Sequence, residues 1–346
     1  MDRQVILGWD VGGAHLKGAR AEDGIITRAV QIACPLWLGL EELDRAIGEA
    51  ESVLGQASLN AITMTGELCD TFATRKEGVC ALAAAMVRLL PARKAIFYAG
   101  LFGFAGHAQV NEHADGIASA NWHASAALAS KLGEALFIDI GSTTTDIIPI
   151  AAGRPANRGN KDADRLLHGE LVYTGLTRSF LMSGPKLVPF AGQWTPLMNE
   201  WFASMADVHR ILGQLPEGAD LMETADGREK TNEDSCARLA RMIGRDRAEA
   251  NEAAWVRLAS FFAEAQLREI IDAVALVLSR GGLTTSAPVV GAGIGRGLTR
   301  EVASRIHRPF VRFDDLIGAT ADAKSKACDC APACAVALLA ASHFGS

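Results

Sequence analysis

Two stretches of the chain share one pattern of apolar and polar positions. In each, an apolar run ends on an acid, a glycine turn with polar residues follows, and a second apolar run returns. The pattern occupies residues 5–20 and, half a chain later, residues 137–150. Apolar runs of this length around a short glycine turn predict β-hairpins, and the recurrence predicts an internal repeat.

The residue types of the two turns suit a phosphate chain. Glycine lets the backbone approach an anion, while hydroxyl and backbone N–H groups donate hydrogen bonds to phosphate oxygens. The predicted phosphate-binding residues are Gly12, Gly13, Ala14, His15, Gly141, Ser142, Thr143 and Thr144. For the second stretch the alternative is an ordinary hairpin with a threonine-rich turn, because threonine is a good strand former. A cationic His15 would favour phosphate, and its alternative is a surface histidine in a turn.

Three acids and a lysine flank the turns. Asp10, Asp139 and Asp146 offer hard oxygen ligands of the kind Mg²⁺ shares with water and phosphate, so the sequence predicts a magnesium site. Lys17 would supply a point charge for a phosphate, and the alternative is a solvated hairpin lysine. No Walker sequence Gly-x-x-x-x-Gly-Lys-Ser/Thr occurs in the chain, and no helix pattern directly follows the first turn as a dinucleotide fingerprint requires.

Two further segments place acids or glycines where predicted strands end. The strand at residues 59–65 opens onto Glu67 and Asp70, and ligands lie at such strand ends in open α/β sheets. The alternative there is a solvated acidic loop. The strand at residues 287–290 opens onto a glycine-rich turn, residues 291–297, ahead of a predicted helix. Such a turn lets a backbone lie against a flat or anionic ligand.

The intervening segments alternate between strand and helix patterns. The longest predicted helix covers residues 251–279. Residues 154–165 form a polar segment with little apolar content, and residues 183–196 are predicted to be irregular because they contain three prolines. Residues 217–232 have the composition of an insertion with turns.

Composition narrows the class of protein. At 346 residues the chain is long enough for two lobes, and its hydrophobic fraction of 49% is ordinary for a globular protein. A formal net charge of -6 without a basic stripe argues against nucleic-acid binding. No apolar run reaches the roughly 18 residues of a membrane span. Residues 1–4 lead directly into a strand without a signal peptide, so we expect a cytoplasmic protein with no membrane contact.

The seven cysteines are scattered and odd in number, which does not match a disulfide framework in a chain of this size. Reduced thiols are therefore expected. Cys328, Cys330 and Cys334 are close enough in sequence for a metal site, but no second Cys/His pair at zinc-finger spacing accompanies them. The alternative is a set of small residues at the start of the final helix.

The order of the two hairpin turns and the third glycine-rich turn resembles that of the actin, sugar kinase and Hsp70 superfamily of ribonuclease H-like double domains. There, the hairpins are phosphate loops and the third turn meets the nucleoside. Within that superfamily the chain resembles the hydantoinase A/oxoprolinase family, and most of all its members in the tetrahydromethanopterin-linked C1 transfer pathway. The segments that carry this closer resemblance are WDVGGA (9–14), CPLW (34–37), MTGEL (64–68), DIGSTTTDIIPI (139–150), GELVYTG (169–175) and TADG (224–227).

The resemblance implies an α/β fold of duplicated ribonuclease H-like, or actin-like ATPase, domains around a central ligand cleft. We expect an N-terminal lobe over residues 1–132 and a C-terminal lobe over residues 133–346. A helical and irregular insertion is expected at about residues 153–250 of the second lobe.

The resemblance also implies an activity, the last ether-forming step of methanofuran synthesis in the archaeal members. A (5-aminomethyl-furan-3-yl)methyl diphosphate is joined to the phenol of tyramine or γ-glutamyl-tyramine, and pyrophosphate leaves. A bacterial relative would form the corresponding ether of methylofuran as a Mg²⁺-dependent transferase. One alternative is an ATP-dependent phosphotransferase or hydrolase that holds adenosine at residues 291–297. Another is a binding or regulatory protein that has kept the fold without the chemistry.

This chemistry defines roles for the candidate residues. The leaving diphosphate must be neutralised, the carbon must be presented and the phenol must lose its proton. The residues assigned catalytic roles are Asp10, Lys17, Glu67 and Asp139. The candidate base is Glu67 or Asp70, with Glu170 competing.

Substrate contacts are expected from both lobes. The predicted substrate-binding residues are Asp70, Glu170, Tyr173, Gly291 and Gly293. Trp37, Trp122 and Tyr173 are candidates to stack on the furan or phenol rings, although large aromatic residues more often belong to the core. The expected partners are small molecules, with a homodimer as one expected assembly.

Overall fold

Both predicted hairpins form, and each lies inside a larger sheet. The computed structural model describes residues 4–90 and 94–344. The strands of the first sheet are β1 (Val5–Val11), β2 (His15–Glu22), β3 (Ile25–Ala33), β4 (Leu59–Met64), β5 (Lys94–Tyr98) and β6 (Phe104–Gly106). The strands that follow are β7 (Ala135–Ile140), β8 (Thr145–Ala151), β9 (Arg154–Pro155), β10 (Leu171–Val172), β11 (Leu187–Phe190), β12 (Gln193–Pro196), β13 (Val289–Ala292) and β14 (Phe310–Arg312).

The two large sheets repeat one plan. In the first, the antiparallel meander β3-β2-β1 is extended by β4 and β5, which run parallel to β1. In the second, the hairpin β8-β7 is extended by β13 and β14, which run parallel to β7. An antiparallel hairpin followed by parallel strands on its first strand is the ribonuclease H-like order. The predicted duplicated α/β fold is therefore confirmed.

Helices cover both sheets and join the lobes. They are α1 (Glu41–Leu54), α2 (Arg75–Leu89), α3 (Ala114–Ile117), α4 (Asn121–Ala129), α5 (Asp162–Leu167), α6 (Met205–Ile211), α7 (Asn232–Arg241), α8 (Glu252–Leu278), α9 (Arg296–Arg305), α10 (Ala321–Asp329) and α11 (Ala331–Phe344). Among the described residues α8 is the longest helix, as predicted, and the side chain of Asn251 caps it by accepting a hydrogen bond from the Ala254 N–H.

One buried core connects the two sheets. It contains apolar residues of both sheets together with the small residues of α4 and α11. The close approach of α11 to β1 depends on Gly8, because a Cβ atom at Gly8 would lie 2.0 Å from the carbonyl oxygen of Ala333. The C-terminal helix of the chain therefore packs on the first sheet, and a missing side chain in β1 makes room for it.

We expect Gly8→Ala to lower the free energy of unfolding by about 1–3 kcal/mol, because the added methyl group overpacks a contact with backbone atoms that cannot rotate away. Urea unfolding followed by circular dichroism measures the change. Gly48→Ala is the matched control, since a Cβ atom there meets nothing within 4 Å and helix α1 gains stability from alanine. Equal stability of the two variants would contradict this packing.

The segment between β10 and α8 builds a smaller core of its own from β11, α6, α7 and the first half of α8. The prediction of irregular structure at residues 183–196 is wrong, because β11 and β12 pair as an antiparallel hairpin there. Pro189 and Pro196 are accommodated because this two-stranded sheet has only edge strands, where a missing N–H can face away from the partner. Residues 217–232 contain no helix or strand before α7 begins, as predicted.

The boundary after residue 132 stays a prediction, although the strands of the two sheets divide on either side of it, with β6 ending at Gly106 and β7 beginning at Ala135. The predicted lobes also include residues 1–3, 91–93 and 345–346, which lie outside the described residues. All seven cysteines are free thiols, as expected.

Among the described helices none is by itself long and apolar enough to cross a membrane, and α10 and α11 meet that criterion only as a pair bent by 111°.

Candidate functional site

The two hairpin turns border one cavity of about 480 Å³ between the lobes. Each turn is closed in the same way, with Gly12 N–H donating to the His15 carbonyl at 3.0 Å and Gly141 N–H donating to the Thr144 carbonyl at 2.9 Å. The turns meet across the cavity, where Ser142 Oγ lies 3.4 Å from His15 Nδ1. All eight residues predicted to bind the diphosphate line this cavity, and they are Gly12, Gly13, Ala14, His15, Gly141, Ser142, Thr143 and Thr144.

The strand register places Asp10 and Asp139 at equivalent positions of the two hairpins. Asp10 lies opposite Lys17 in the β1–β2 pair, and Asp139 lies opposite Asp146 in the β7–β8 pair. Lys17 Nζ is 3.5 Å from Asp10 Oδ2. The predicted internal repeat is therefore confirmed, and it places two equivalent acids, Asp10 and Asp139, at the cavity wall.

Burial controls the protonation of this wall. It raises the pKa of Asp139 to about 7, against the opposing effect of Lys17. It also raises the pKa of Asp10, again with Lys17 acting in the opposite direction. Burial, Lys17 and Arg178 together lower the pKa of His15 to about 3. At neutral pH the His15 ring is therefore neutral, and it is buried, so neither the cationic interpretation nor the surface-histidine alternative is correct. The ring acts as a hydrogen-bonding group.

Asp146 has a different environment from the other two acids. Its Oδ1 accepts a hydrogen bond from Arg165 Nη2 at 2.5 Å, and the Arg165 side chain is only 2% exposed. The Arg165 guanidinium lies 4.2 Å from the centre of the Trp122 ring. Trp122 is thus a buried support beneath Arg165, and the expectation that it stacks on a substrate ring is wrong. Asp146 serves Arg165 as a counter-ion.

Arg178 is the cavity cation without a carboxylate partner among the described residues. Its Nη1 donates to Thr143 Oγ1 at 3.1 Å, and its backbone N–H donates to the Ser142 carbonyl at 2.8 Å. The guanidinium also lies 5.1 Å from the Trp37 ring. Burial lowers the pKa of Arg178, yet a guanidinium stays charged throughout the neutral range. It is therefore free to bind an anion.

The segment around Gly175 supports the second turn. The Leu176 N–H donates to the Gly141 carbonyl at 2.9 Å, in addition to the hydrogen bond from the Arg178 N–H to the Ser142 carbonyl. A Cβ atom at Gly175 would lie 2.5 Å from both the carbonyl carbon of Ser142 and the backbone nitrogen of Thr143. The last glycine of the GELVYTG segment is thus needed for close backbone contact.

We expect Gly175→Ala to reduce kcat/KM about tenfold or more. The added methyl group would lie 2.5 Å from backbone atoms of the second turn, so the turn must shift to admit it. Steady-state kinetics measures the loss, and circular dichroism checks the fold. Gly297→Ala is the control, because a Cβ atom there meets nothing within 4 Å. A Gly175→Ala variant with wild-type kcat/KM would contradict the supporting role.

Glu67 does not reach the cavity. It is buried, and its Oε1 accepts a hydrogen bond from Ser119 Oγ at 2.6 Å and an ion pair from Arg75 Nη2 at 3.3 Å. Ser119 lines the cavity, and its Oγ also lies 3.2 Å from Asp162 Oδ2 of the other lobe. Ser119 has a φ of 51°, which is uncommon for a serine. Burial raises the pKa of Glu67. Through its hydrogen bond with Ser119 Oγ, the buried carboxyl holds Ser119 in position at the cavity wall.

The other predicted substrate residues divide into two groups. Asp70 and Tyr173 line the cavity, and both are exposed. Glu170 is removed from the candidates, because it is fully buried and its two carboxylate oxygens accept hydrogen bonds from the backbone N–H groups of Arg158 and Gly159. It closes a loop and has no free oxygen for a substrate.

Gly291 and Gly293 do not line the cavity either. A Cβ atom at Gly293 would lie 2.3 Å from Asp139 Oδ1, and one at Gly291 would lie 2.6 Å from the Phe310 ring. Their substrate-binding role is therefore corrected to a packing role, in which Gly293 lies against Asp139 and Gly291 lies against Phe310. The following residues, 294–298, line a separate cavity of about 570 Å³.

Sequence reasoning missed several residues of the main cavity. These are Thr65, Cys69, Ser119, Asn121, Asp162, Arg165 and Arg178. Arg165 and Asp162 belong to a polar segment without hydrophobic period, which folds in part into α5. Arg178 follows the GELVYTG segment by three residues, and that proximity was the available signal.

Comparisons with known proteins agree with the predicted family. The family model described as hydantoinase/oxoprolinase matches residues 60–340. The (4-{4-[2-(gamma-L-glutamylamino)ethyl]phenoxymethyl}furan-2-yl)methanamine synthase of Methanocaldococcus jannaschii is 32% identical over 246 residues, which are 70% of this chain and 72% of that protein. A protein of the same name from Methanococcus vannielii is 27% identical over 171 residues, which are 49% of this chain and 75% of that protein.

A solved structure supports the fold. Nucleotide-free acetone carboxylase superposes with a TM-score of 0.55 at 12% sequence identity, covering 88% of this chain and 67% of that chain. At this identity the likeness concerns the fold alone. Because the family model spans most of the chain, and because the Methanocaldococcus relative is alike over more than two thirds of it, the chain belongs to the hydantoinase/oxoprolinase family.

Proposed function

We propose that the protein forms the aryl alkyl ether of a methanofuran-type one-carbon carrier, methylofuran. It joins a (5-aminomethyl-furan-3-yl)methyl diphosphate to the phenol of tyramine or γ-glutamyl-tyramine and releases pyrophosphate. The observation that carries the proposal is the cavity in which two equivalent hairpin turns face each other, 3.4 Å apart at His15 and Ser142. Two relatives named as a synthase of such a phenoxymethyl-furan support an enzyme with this product.

Donors of the turns and two cations receive the diphosphate in this proposal. Backbone N–H groups and the hydroxyls of Ser142 and Thr143 donate to phosphate oxygens, and Arg178 adds a guanidinium without a competing carboxylate. Lys17 contributes a second positive charge. Burial alone would lower the pKa of Lys17, but the neighbouring Asp10 and Asp139 raise it, so the ammonium stays protonated.

Asp10 and Asp139 fit a magnesium ion. Asp10 Oδ1 is buried and has no hydrogen-bond partner in the part of the chain that the structure describes. No cluster of three or more His, Cys, Asp or Glu side chains that could hold a metal ion occurs among those residues, so an ion here would need water and phosphate to complete its coordination. When bound, Mg²⁺ neutralises charge on a departing diphosphate. Asp146 is not included, since it serves Arg165.

The bond changes balance without a further reactant. The phenol oxygen forms a bond to the furan-methyl carbon, the bond from that carbon to the diphosphate oxygen breaks, and pyrophosphate takes the electron pair. The phenol proton goes to a carboxylate. We assign Asp70 this role, because it lines the cavity and has no hydrogen-bond or ion-pair partner among the described residues, whereas Ser119 separates Glu67 from the cavity.

We expect Asp70→Asn to lower kcat about a hundredfold, the lower range for loss of a general base, with little change in KM for the diphosphate. Steady-state kinetics with each substrate varied in turn measures both constants. Glu67→Gln is the comparison variant and should lose less than Asp70→Asn. The reverse order would identify Glu67, acting through Ser119, as the base.

The experiment that tests the function is incubation of the purified protein with the furan-methyl diphosphate, Mg²⁺ and tyramine or γ-glutamyl-tyramine. Mass spectrometry should detect the ether in quantities that rise with time and protein. A parallel incubation with ATP, Mg²⁺ and the same phenols should show no ATP consumption above background. Absence of the ether, or phenol-dependent ATP hydrolysis, would overturn the proposal. A cytoplasmic location and a homodimer stay predictions.

A further inference from the structure

A smaller cavity of about 240 Å³ adjoins the main one and is distinct from the cavity at residues 294–298. Trp37 and Arg178 line both cavities, so the stacked pair of these side chains forms the partition between them. The volume is below the roughly 300–1,000 Å³ of sites that enclose a whole drug-sized ligand, so it suits one ring with a short chain. We call this cavity the aromatic pocket, and its lining residues are Trp37, Thr177, Arg178, Phe180, Trp201, Ser204, Ala206, Asp207, Asp220, Met222, Glu223, Thr224 and Ala225.

Aromatic rings form much of the wall of the aromatic pocket. The Phe180 and Trp201 rings lie 5.2 Å apart and are inclined to each other by 55°. Trp37 is 40% exposed and Trp201 is 46% exposed. Covering exposed indole surface with a flat apolar ring is energetically favourable because it removes apolar surface from water. Aromatic pairs also favour offset-stacked or edge-to-face arrangements of their rings. The wall therefore fits a planar aromatic ligand.

Charge in the aromatic pocket is arranged so that one carboxylate remains available. Asp207 accepts a hydrogen bond from Arg238 at 2.8 Å, and Asp220 is paired with Arg210. Glu223 is exposed and has no ion-pair or hydrogen-bond partner among the described residues. An available carboxylate at the edge of an aromatic-walled pocket fits a cation, and an ammonium group is the natural partner.

The partition is fixed to both diphosphate turns. Beside Trp37, the Leu36 N–H donates to the Gly13 carbonyl of the first turn at 3.0 Å. On the other side, the Arg178 N–H donates to the Ser142 carbonyl of the second turn. A ring in the aromatic pocket is thus held at a set position relative to a diphosphate in the main cavity. Two segments singled out by sequence, CPLW and TADG, supply Trp37 and Thr224 to this pocket.

We propose that the aromatic pocket binds the phenolic acceptor, a para-substituted phenol with an ammonium-bearing tail. The ring lies against Trp37, Phe180 and Trp201, the ammonium group pairs with Glu223, and the phenol oxygen faces the main cavity past the partition. The assignment rests on the proposed function, because that function requires an aromatic acceptor beside the diphosphate. It separates the two substrates into two cavities that share one wall.

Steady-state kinetics tests the separation of substrates. We expect Trp201→Leu and Glu223→Gln to raise KM for tyramine about tenfold, which corresponds to about 1.4 kcal/mol, while KM for the diphosphate changes less than about twofold. Trp194→Leu and Glu217→Gln are matched controls, because both residues are exposed and lie outside the pocket. Ala225→Phe, which fills the pocket from a second direction, should also raise KM for tyramine. Equal KM values for tyramine in all five variants and wild type would overturn the proposal.

Titration of tyramine without the diphosphate donor distinguishes this proposal from the function on which it rests. Calorimetry should detect binding to wild type, weaker binding to Trp201→Leu and Glu223→Gln, and unchanged binding to the two controls. Binding of p-cresol, which lacks the ammonium tail, should weaken in Trp201→Leu but not in Glu223→Gln. Loss of tyramine binding in these variants supports the pocket even if no ether forms. Wild-type binding by both variants, or no binding to wild type, overturns it even if ether does form.

Discussion

Asp139→Asn should lower kcat/KM for ether formation about a thousandfold, which corresponds to about 4 kcal/mol of transition-state stabilisation. Asparagine preserves the shape of the side chain, so the contact with Gly293 is kept, but the negative charge that fits Mg²⁺ is lost. The loss is large because one of two equivalent acids at the cavity wall is removed. Steady-state kinetics over a range of Mg²⁺ concentrations measures it.

Stability separates this functional loss from misfolding. Burial raises the pKa of Asp139 from 3.8 to about 7. When the pKa of a carboxyl group is higher in the folded than in the unfolded state, ionisation of that group lowers the free energy of unfolding. Above the folded-state pKa of Asp139, its negative charge therefore destabilises the fold. At about pH 8 the ligand-free Asp139→Asn variant should therefore unfold at the same temperature as wild type or higher. The control Asp44→Asn, at a surface ion pair with Arg88, should leave kcat/KM unchanged. Near-wild-type activity of Asp139→Asn would contradict the magnesium assignment.

Arg178→Ala should lower kcat/KM about a hundredfold and raise KM for the diphosphate. Arg178 provides the guanidinium that no described carboxylate neutralises, and its hydrogen bond to Thr143 aims it at the second turn. Charge-assisted hydrogen bonds from a guanidinium to phosphate are stronger than hydrogen bonds between neutral groups. Both the positive charge and the forked arrangement of the N–H donors contribute to their strength. Kinetics with the diphosphate as the varied substrate measures the change.

Arg178→Lys separates charge from geometry. Lysine keeps the positive charge but loses the fork geometry and the guanidinium contact with the Trp37 ring, so we expect a loss of about tenfold, between wild type and Arg178→Ala. Arg268→Ala is the control, because Arg268 lies on the surface of α8 and is 73% exposed. If Arg178→Ala had the KM of wild type for the diphosphate, the cation would have to be assigned another role.

Local patterns predicted the centre of the site well. The hairpins around Asp10 and Asp139 are set by apolar runs, glycine turns and the pairing of adjacent strands, all of which are short-range in sequence. Because the same pattern occurs twice, each stretch supports the prediction of a hairpin in the other. The longest helix, α8, was predicted for a similar reason, because its long apolar periodicity leaves little choice.

Long-range contacts explain what sequence reasoning missed. Arg165 reaches Asp146 from a polar segment that has no period of its own, and only the fold brings the two together. Glu170 is a candidate base by residue type, yet its carboxylate accepts hydrogen bonds from two backbone N–H groups of the loop before α5. Gly293 was assigned to a ligand, whereas its missing Cβ makes room for Asp139. In each case the residue type was informative and its partner was not visible in the sequence.

The hairpin of β11 and β12 was missed for a different reason. Proline was treated as a strand breaker, but Pro189 lies in a two-stranded sheet whose edges are free. Without knowledge of the sheet size, the sequence could not show that its absent N–H would go unused.

In the proposed reaction, the two turns hold a diphosphate that departs intact. The direct measurement is ³¹P NMR of the phosphorus products from wild-type protein with the furan-methyl diphosphate, tyramine and Mg²⁺, together with quantification of the ether. Cleavage of the carbon–oxygen bond predicts one pyrophosphate for each ether formed and no orthophosphate. Orthophosphate as the main product, or a phosphorylated phenol, would show phosphoryl transfer and contradict the claim.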